Sequence, residues 1–481
     1  MAERTLKGGV RREKDFLGEL PVPAEAYYGI QTVRAADNFP ISGLRAHRVM
    51  VSALALIKKS AALANMELGR LEKKKASAIV KACEEIVQGK FADQFIVDIF
   101  QMGAGTSLHM NVNEVIANRA GEILGGDLGT YKLVHPNDHV NMGQSTNDVY
   151  PTAMRLAAAL LLRDHLLPHL EDMEDAFLAK AREFRRIVKS GRTHLQDAAP
   201  ITLGQEFRAY GKALKKCRSF IEKASGSILE LGIGGSAVGT GLNTAPGYQK
   251  LIVGHLALLT GLPVTSAEDM REAMQSMRPF LEVSAALRNL AGELNRIAND
   301  LRLLASGPRT GLGEIFLPAV APGSSIMPGK VNPSMLEMMN MVCYQVMGCD
   351  LAVSAASQAG QLELNVMMPV ISFNLNLMIE ILGCALLQVT RRCIEGIRPD
   401  IERCREYAEK TLGLVTALSP RIGYALASEI AREAAAAKKT LREVLEEKGI
   451  RWRDKDEELF DLERMTVFPS SAGRLEKTKK P

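Results

Sequence analysis

The chain has 481 residues, 47% apolar and 24% charged, with 60 basic against 55 acidic side chains and a formal net charge of +5. This is ample material for a core, about three domains by length, and a charge balance too even to argue for nucleic acid or an anionic membrane as partner. Seven scattered cysteines with no C-x-x-C pair, and eight histidines not clustered with cysteine, predict a reduced, cytoplasmic protein with no metal centre.

The first residues, MAERTLKGGVRREKDF, lack the apolar stretch of a signal peptide. No segment is expected to reach the ~20 apolar residues that cross a bilayer. A two-stranded element is predicted over residues 17–30, kept at an edge by Pro21 and Pro23. Two loops rich in hydroxyls and amides follow, GAGTS (103–107) and NMGQSTND (141–148). The second precedes Pro151, which reads as an early helical position. Apolar spacing at Leu170, Met173, Phe177, Ala181, Phe184 and Val188 predicts a helical seam. A third loop, GRTHLQDA (191–198), ends that seam. LGIGGSAVGTG (231–241) has a weak G-x-G-x-x-A match at Gly232, Gly234 and Ala237 but no βαβ context. It reads as a flexible connection between helices.

The longest seam is Leu287, Leu290, Leu294, Ile297, Leu301 and Leu304, a 3-4-3-4-3 spacing that predicts a helix about 37 Å long over roughly 25 residues. Residues 334–356 are apolar on most sides, which predicts central burial, against other subunits. The map is then mainly α in three parts: a segment 1–145 of mixed short helices and loops, a long-helix bundle 146–401, and shorter charged helices 402–481 ending in a basic, solvated tail at 474–480.

Between the last two seams stands GSSIMPGKVNP (323–333). It is no phosphate loop, because five residues rather than four separate Gly323 from Gly329-Lys330, and Val331 takes the hydroxyl position. Pro328, Pro333, Ile326 and Met327 exclude a flexible linker. Asn332-Pro333 reads as N-cap and first helical residue of the apolar helix. A glycine-rich loop with inward N–H groups, a lysine and two serines suits a serine alkoxide or a carboxylate. Any one of the polar loops alone is an ordinary cap. Together, with the Ser and Lys of this loop, they point to a site for a small carboxylate.

GSSIMPGKVNP resembles the signature loop of the fumarase/aspartase superfamily, and the likeness runs from RREKDFLGELPVPAEAYYGIQT to the C-terminal segment. The resemblance implies a nearly all-α, three-domain subunit, a homotetramer, and active sites built from three subunits. It implies Ser324 as catalytic base, and Lys330 and Asn332 at the α-carboxylate of a dicarboxylate substrate. Thr106, Ser145 and Thr146, with the Ser325 amide, would surround the β-carboxylate. Thr193 and His194 match the family's Thr-His loop, Asn147 the residue near the amino group, and Glu337 the carboxylate that pairs with a histidine. No cofactor is implied.

Proton removal beside a carboxylate creates an enediolate, which needs preorganised donors, and a serine base needs a stabilised alkoxide. AYYGIQT, Thr146 in QSTND, and AGQLELNV (359–366) resemble the ammonia-lyase branch, so elimination of ammonia from L-aspartate is expected, with fumarate hydration as the alternative. Gly143, Ser334 and Leu336 depart from the patterns of both branches, which bears on selectivity rather than on reaction class.

Overall fold

A computed structural model describes residues 9–450 and 461–467. The basic tail at 474–480 lies outside them. In chain order the elements are the strands β1 (Val10–Asp15) and β2 (Gly18–Pro23), then α1 (Ile30–Asn38), α2 (Arg48–Glu67), α3 (Lys73–Val87), α4 (Thr106–Ile123), α5 (Thr146–Leu161) and α6 (Leu167–Glu183). The strands β3 (Val188–Thr193) and β4 (Gln196–Thr202) precede α7 (Leu203–Ser225), α8 (Tyr248–Thr260), α9 (Met270–Gln275), α10 (Arg278–Leu304), α11 (Ser334–Ser357) and α12 (Met368–Arg392). Five short helices follow: α13 (Ile401–Lys410), α14 (Val415–Ile422), α15 (Tyr424–Ala437), α16 (Leu441–Glu447) and α17 (Leu462–Met465). The chain is mainly α; the strands among the described residues form only two-stranded pairs.

Two compact units divide the chain, one of residues Met1–Pro168, Cys217–Gly292 and Val342–Cys384, the other of His169–Lys216, Glu293–Met341 and Ala385–Pro481. In the first, α2 packs against α3, α5 and α8, and α3 against α4. Leu54, Ile57, Ala61 and Ala64 are fully buried along α2. The chain enters this helix through His47, whose ring accepts a hydrogen bond from the Val49 N–H and so satisfies one orphan donor. Helices α2 and α4 are 20 and 18 residues long, longer than the short helices expected in this segment.

In the second unit α13 packs on β3, and Leu418, Ile430, Ala434, Val444 and Leu445 form a core among α14, α15 and α16. A buried ion cluster lies at the foot of the β3–β4 hairpin. Lys189 Nζ is 2.7 Å from Glu206 and 2.9 Å from Glu314, and Arg192 is 2.6 Å from the other oxygen of Glu314. Lys189 and Glu314 are 1% and 0% exposed, so each charge depends on its partners for what water would otherwise supply.

The long helical seams match the spacing: Leu287, Leu290, Leu294, Ile297, Leu301 and Leu304 are all buried in α10, and Leu170, Met173, Phe177 and Ala181 in α6. Several expectations are corrected. The first hairpin begins at Val10 and ends at Pro23, and Ile30 opens α1. Helix α6 stops at Glu183, so Val188 starts β3 and GRTHLQDA is a hairpin tip, not a helix end. Pro151 lies inside α5, five residues after its first. Within the 231–241 connection, residues 232–236 are buried.

Two helices also reach the length and apolarity of a membrane span, against expectation: α2 (mean hydropathy 1.3) and the stretch from α12 to Gly396 (1.9). Both lie mostly buried inside the protein, which accounts for their composition. Helix α11 is buried on one side through Leu336, Met339, Cys343, Val346 and Val353. Its other side leaves Met341, Tyr344 and Leu351 exposed at helical spacing within the single chain, so the burial expected all round is one-sided here.

Replacing Glu314 by Ala strips the buried Lys189 and Arg192 of a counter-charge. Urea unfolding is expected to show a loss of about 3–5 kcal/mol. A loss below about 1 kcal/mol would place this cluster with exposed ion pairs.

Candidate active site

In the first unit two helix N-termini carry the expected hydroxyls. Ser145 caps α5: its Oγ accepts from the Asn147 N–H, and Asp148 returns the bond to the Ser145 N–H at 2.9 Å, a capping box. Thr146 is the first residue of α5 and Thr106 the first of α4. The turn before Thr106 is tight. Gly105 has φ 82°, and a Cβ there would run into the Tyr150 ring of α5, so only glycine lets the two helices approach. One turn beyond Thr106, His109 reaches across: its Nδ1 lies 2.7 Å from Thr146 Oγ1. Asn147 donates through Nδ2 to the Ala237 carbonyl at 2.9 Å. Two neighbouring helix starts, with hydroxyls beside them, form a setting for a carboxylate.

Behind these hydroxyls lies a buried polar cluster absent from the sequence reading. Lys58 of α2 is fully buried and His109 nearly so. Lys58 Nζ is 2.6 Å from His109 Nε2, 2.8 Å from Asn141 Oδ1 and 2.9 Å from Gln144 Oε1. Burial pushes Lys58 down to about 7, against the pull of Asp148 and Cys83. Burial, and then the Lys58 charge, holds His109 well below the ordinary histidine range. Asp148 is buried as well and is pushed up to about 6 by desolvation, opposed by N–H bonds from Ser145, Ser236 and Gly234 and by Lys58. Its Oδ2 accepts from Gly234 and Ser236 at 3.0 Å each. The G-x-G-x-x-A stretch therefore wraps a carboxylate of its own chain. The one sequence signal for Lys58 was a lysine on the core-facing stripe of an alanine- and leucine-rich helix.

Glu114, which follows the GAGTS loop, is structural. It accepts bonds from the N–H groups of Gly29, Gln31 and Thr32 and from the Thr32 hydroxyl, and so caps α1.

The second unit holds the other candidates. The loop 323–333 is closed on itself: the Gly323 N–H donates to the Lys330 carbonyl at 2.7 Å, and Asn332 Nδ2 to the Gly323 carbonyl at 2.6 Å. A Cβ at Gly323 would collide with the Lys330 carbonyl, so this closure needs glycine. Ser324 Oγ accepts from the N–H groups of Ile326 (3.2 Å) and Met327 (2.9 Å). Ser325 and Lys330 belong to the same loop, which is largely exposed.

Asn332 is not the N-cap of α11. Its amide is occupied by the loop closure, and the Pro333 carbonyl takes the first helical bonds, from Leu336 and Glu337. Glu337 is half-buried in the first turn. Thr193 and His194 lie exposed at the tip of the β3–β4 hairpin, where His194 and Leu195 both have positive φ (55° and 59°). That pair of angles is the two-residue turn that suits strand twist. No hydrogen bond joins His194 to Glu337 among the described residues. The candidates thus fall into two sets, Thr106, Ser145, Thr146 and Asn147 in one unit, and Thr193, His194, Ser324, Ser325, Lys330, Asn332 and Glu337 in the other.

Residues 18–348 match the family described as Lyase, and residues 414–467 the one described as Fumarase C C-terminus. An aspartate ammonia-lyase of a Bacillus species is 49% identical over 465 residues, 97% of this chain and 99% of that protein. A class II fumarate hydratase of Neisseria meningitidis is 47% identical over 449 residues, 93% of this chain and 97% of its own. The crystal structure of a fumarate lyase:delta crystallin from Brucella melitensis bound to cobalt aligns with a TM-score of 0.92 at 47% identity, over 96% of this chain and 100% of that one. A likeness that spans both units, and includes the serine loop, leaves one assignment: the chain belongs to the Lyase family, with a C-terminal segment of the fumarase C type, and is a lyase.

Proposed function

We propose that the protein is an aspartate ammonia-lyase, converting L-aspartate reversibly to fumarate and ammonia by anti elimination. The observation that carries the mechanism is the pair of backbone N–H groups aimed at Ser324 Oγ. A serine acts as base only if its alkoxide is held by donors, and these two supply that stabilisation. Ser324 takes the proton from the carbon next to the β-carboxylate. The electron pair moves into that carboxylate as an enediolate, then forms the double bond as the Cα–N bond breaks and nitrogen leaves with its pair.

Thr106, Ser145, Thr146 and the Ser325 amide would hold the enediolate, at helix ends that favour negative charge. Lys330 and Asn332 would hold the α-carboxylate. Asn147, Thr193 and His194 would take the ammonium, which has three donors and needs acceptors. Glu337 would support the histidine.

In this reading the subunit is organised as 1–145, 146–401 and 402–481, acts in the cytoplasm, and assembles as a homotetramer whose sites draw on three subunits. The apolar strip of Met341, Tyr344 and Leu351 supports assembly, because a soluble monomer rarely leaves such a strip in water. The relatives support both aspartate and fumarate chemistry; AYYGIQT, Thr146 and AGQLELNV favour the first.

Three outcomes are expected. Following fumarate by ultraviolet absorbance, L-aspartate is processed and L-malate is not, by as much as ~10⁴-fold; malate turnover without ammonia release from aspartate would leave fumarate hydratase as the reading. Ser324→Ala abolishes turnover while thermal stability and assembly stay as in the parent, and a drop of only a few-fold removes Ser324 as base. Light scattering gives a mass near four times 52.4 kDa, and Leu351→Glu lowers it; an active monomer would overturn the shared site.

A further inference from the structure

The cluster behind Thr146 has a direction, and its proton count sets it. Both amides facing Lys58 are fixed by their other bonds. Gln144 Nε2 donates to the carbonyls of Val140 and Met142, and Asn141 Nδ2 to the carbonyl of Gln144. Each amide must therefore turn its oxygen to Lys58. Two of the lysine's protons go to those oxygens, and the third contact is His109 Nε2, which also lies 3.5 Å from the Asn113 amide nitrogen.

A charged Lys58 has a third proton to give, so Nε2 accepts, Nδ1 carries the ring proton, and Nδ1–H donates to Thr146 Oγ1. The Thr146 O–H is then free to donate outward. A neutral Lys58 has only a lone pair left. Nε2 then carries the ring proton toward that lone pair, with the Asn113 amide turned so that its otherwise unpartnered Oδ1 faces the ring, Nδ1 accepts from Thr146, and only Thr146 lone pairs face the site.

We propose that Lys58 and His109 are positioning residues that form a buried relay, in which the proton on Lys58 sets the His109 tautomer and thereby switches Thr146 from a donor to an acceptor toward a bound carboxylate. The inference rests on the reading of Thr146 as a carboxylate ligand.

Among the described residues, the titratable groups whose charge acts on Lys58 are Cys83 from α3 and Asp148 from α5, and Tyr248 from α8 faces Asp148. The titratable residues of the turn at 136–140 have other partners, Asp138 with His135 and His139 with Lys75. Lys59, next to Lys58, pairs with Glu84 on the surface. Lys58, pushed down to about 7, loses its proton near neutrality, whereas His109 stays neutral throughout. Below that point the relay donates to the substrate, and above it the relay repels it.

The test is competitive inhibition by succinate, a dicarboxylate with no leaving group, measured on the full-length assembly from about pH 6 to about pH 8.5. The inhibition constant is expected to rise roughly tenfold or more as pH increases, the worth of one hydrogen bond to a charged group. In His109→Asn the side-chain amide can donate to Thr146 at any pH, so the rise disappears while low-pH binding is kept. Thr146→Val weakens succinate at every pH and also flattens the profile. A flat profile in the parent protein overturns the relay, whatever the variants do. If Thr146→Val weakens binding but His109→Asn keeps the parent's pH dependence, the relay alone falls. If Thr146→Val binds succinate as the parent does, the carboxylate role of Thr146 falls and takes the relay with it.

Discussion

A lysine ammonium sealed in a helical core must give every proton to a protein acceptor, because no water can substitute. Lys58 meets that demand with Asn141, Gln144 and His109, and the demand organises its surroundings. The segment before α5 is held so that two amide oxygens converge on one nitrogen. Helix α4 must bring His109 to the third proton. The starts of α4 and α5 are thereby fixed relative to each other, and both carry hydroxyls proposed to bind substrate.

Asp148 extends the same constraint. It is buried one turn into α5, and it closes the capping box on Ser145 while gathering the N–H groups of Gly234 and Ser236. A carboxylate in that position is tolerable only with several donors and a nearby cation, and Lys58 provides the second. The glycines of LGIGGSAVGTG let the backbone turn its N–H groups inward over a single oxygen, as a phosphate loop would do for a ligand. The first unit thus spends its buried charges on holding two helix ends rigid.

The serine loop is held differently. Its two closures tie the ends of 323–333 to each other, and Ile326, Met327 and Val331 are exposed. A loop that bonds mainly to itself can move as a body at small cost, since few buried contacts are lost. Its internal geometry, including the donors on Ser324, travels with it. That division suits the proposed reaction: the enediolate needs fixed donors, whereas the base has only to arrive once water is excluded.

The sequence by itself determined the helical class, the two long seams, the existence of a serine- and lysine-bearing loop at 323–333 and the family. Each is written locally: a 3-4 apolar spacing buries one stripe of any helix, and glycine and proline restrict a short loop wherever it lies. The candidate residues were legible for the same reason, since they sit in short motifs at element ends. Tertiary structure alone decided that 188–202 pairs as a hairpin instead of extending α6, because strand pairing is a contact between segments and has no helical-period signature. It also decided that Glu114 is a cap, that Asn332 closes a loop, and that Lys58 and His109 meet Thr146. Those roles depend on which side chains converge from α1, α2, α4 and α5 across stretches of sequence. In a linear reading Lys58 is one cation in an apolar helix, and only its burial beside Asn141, Gln144 and His109 shows where its protons must go.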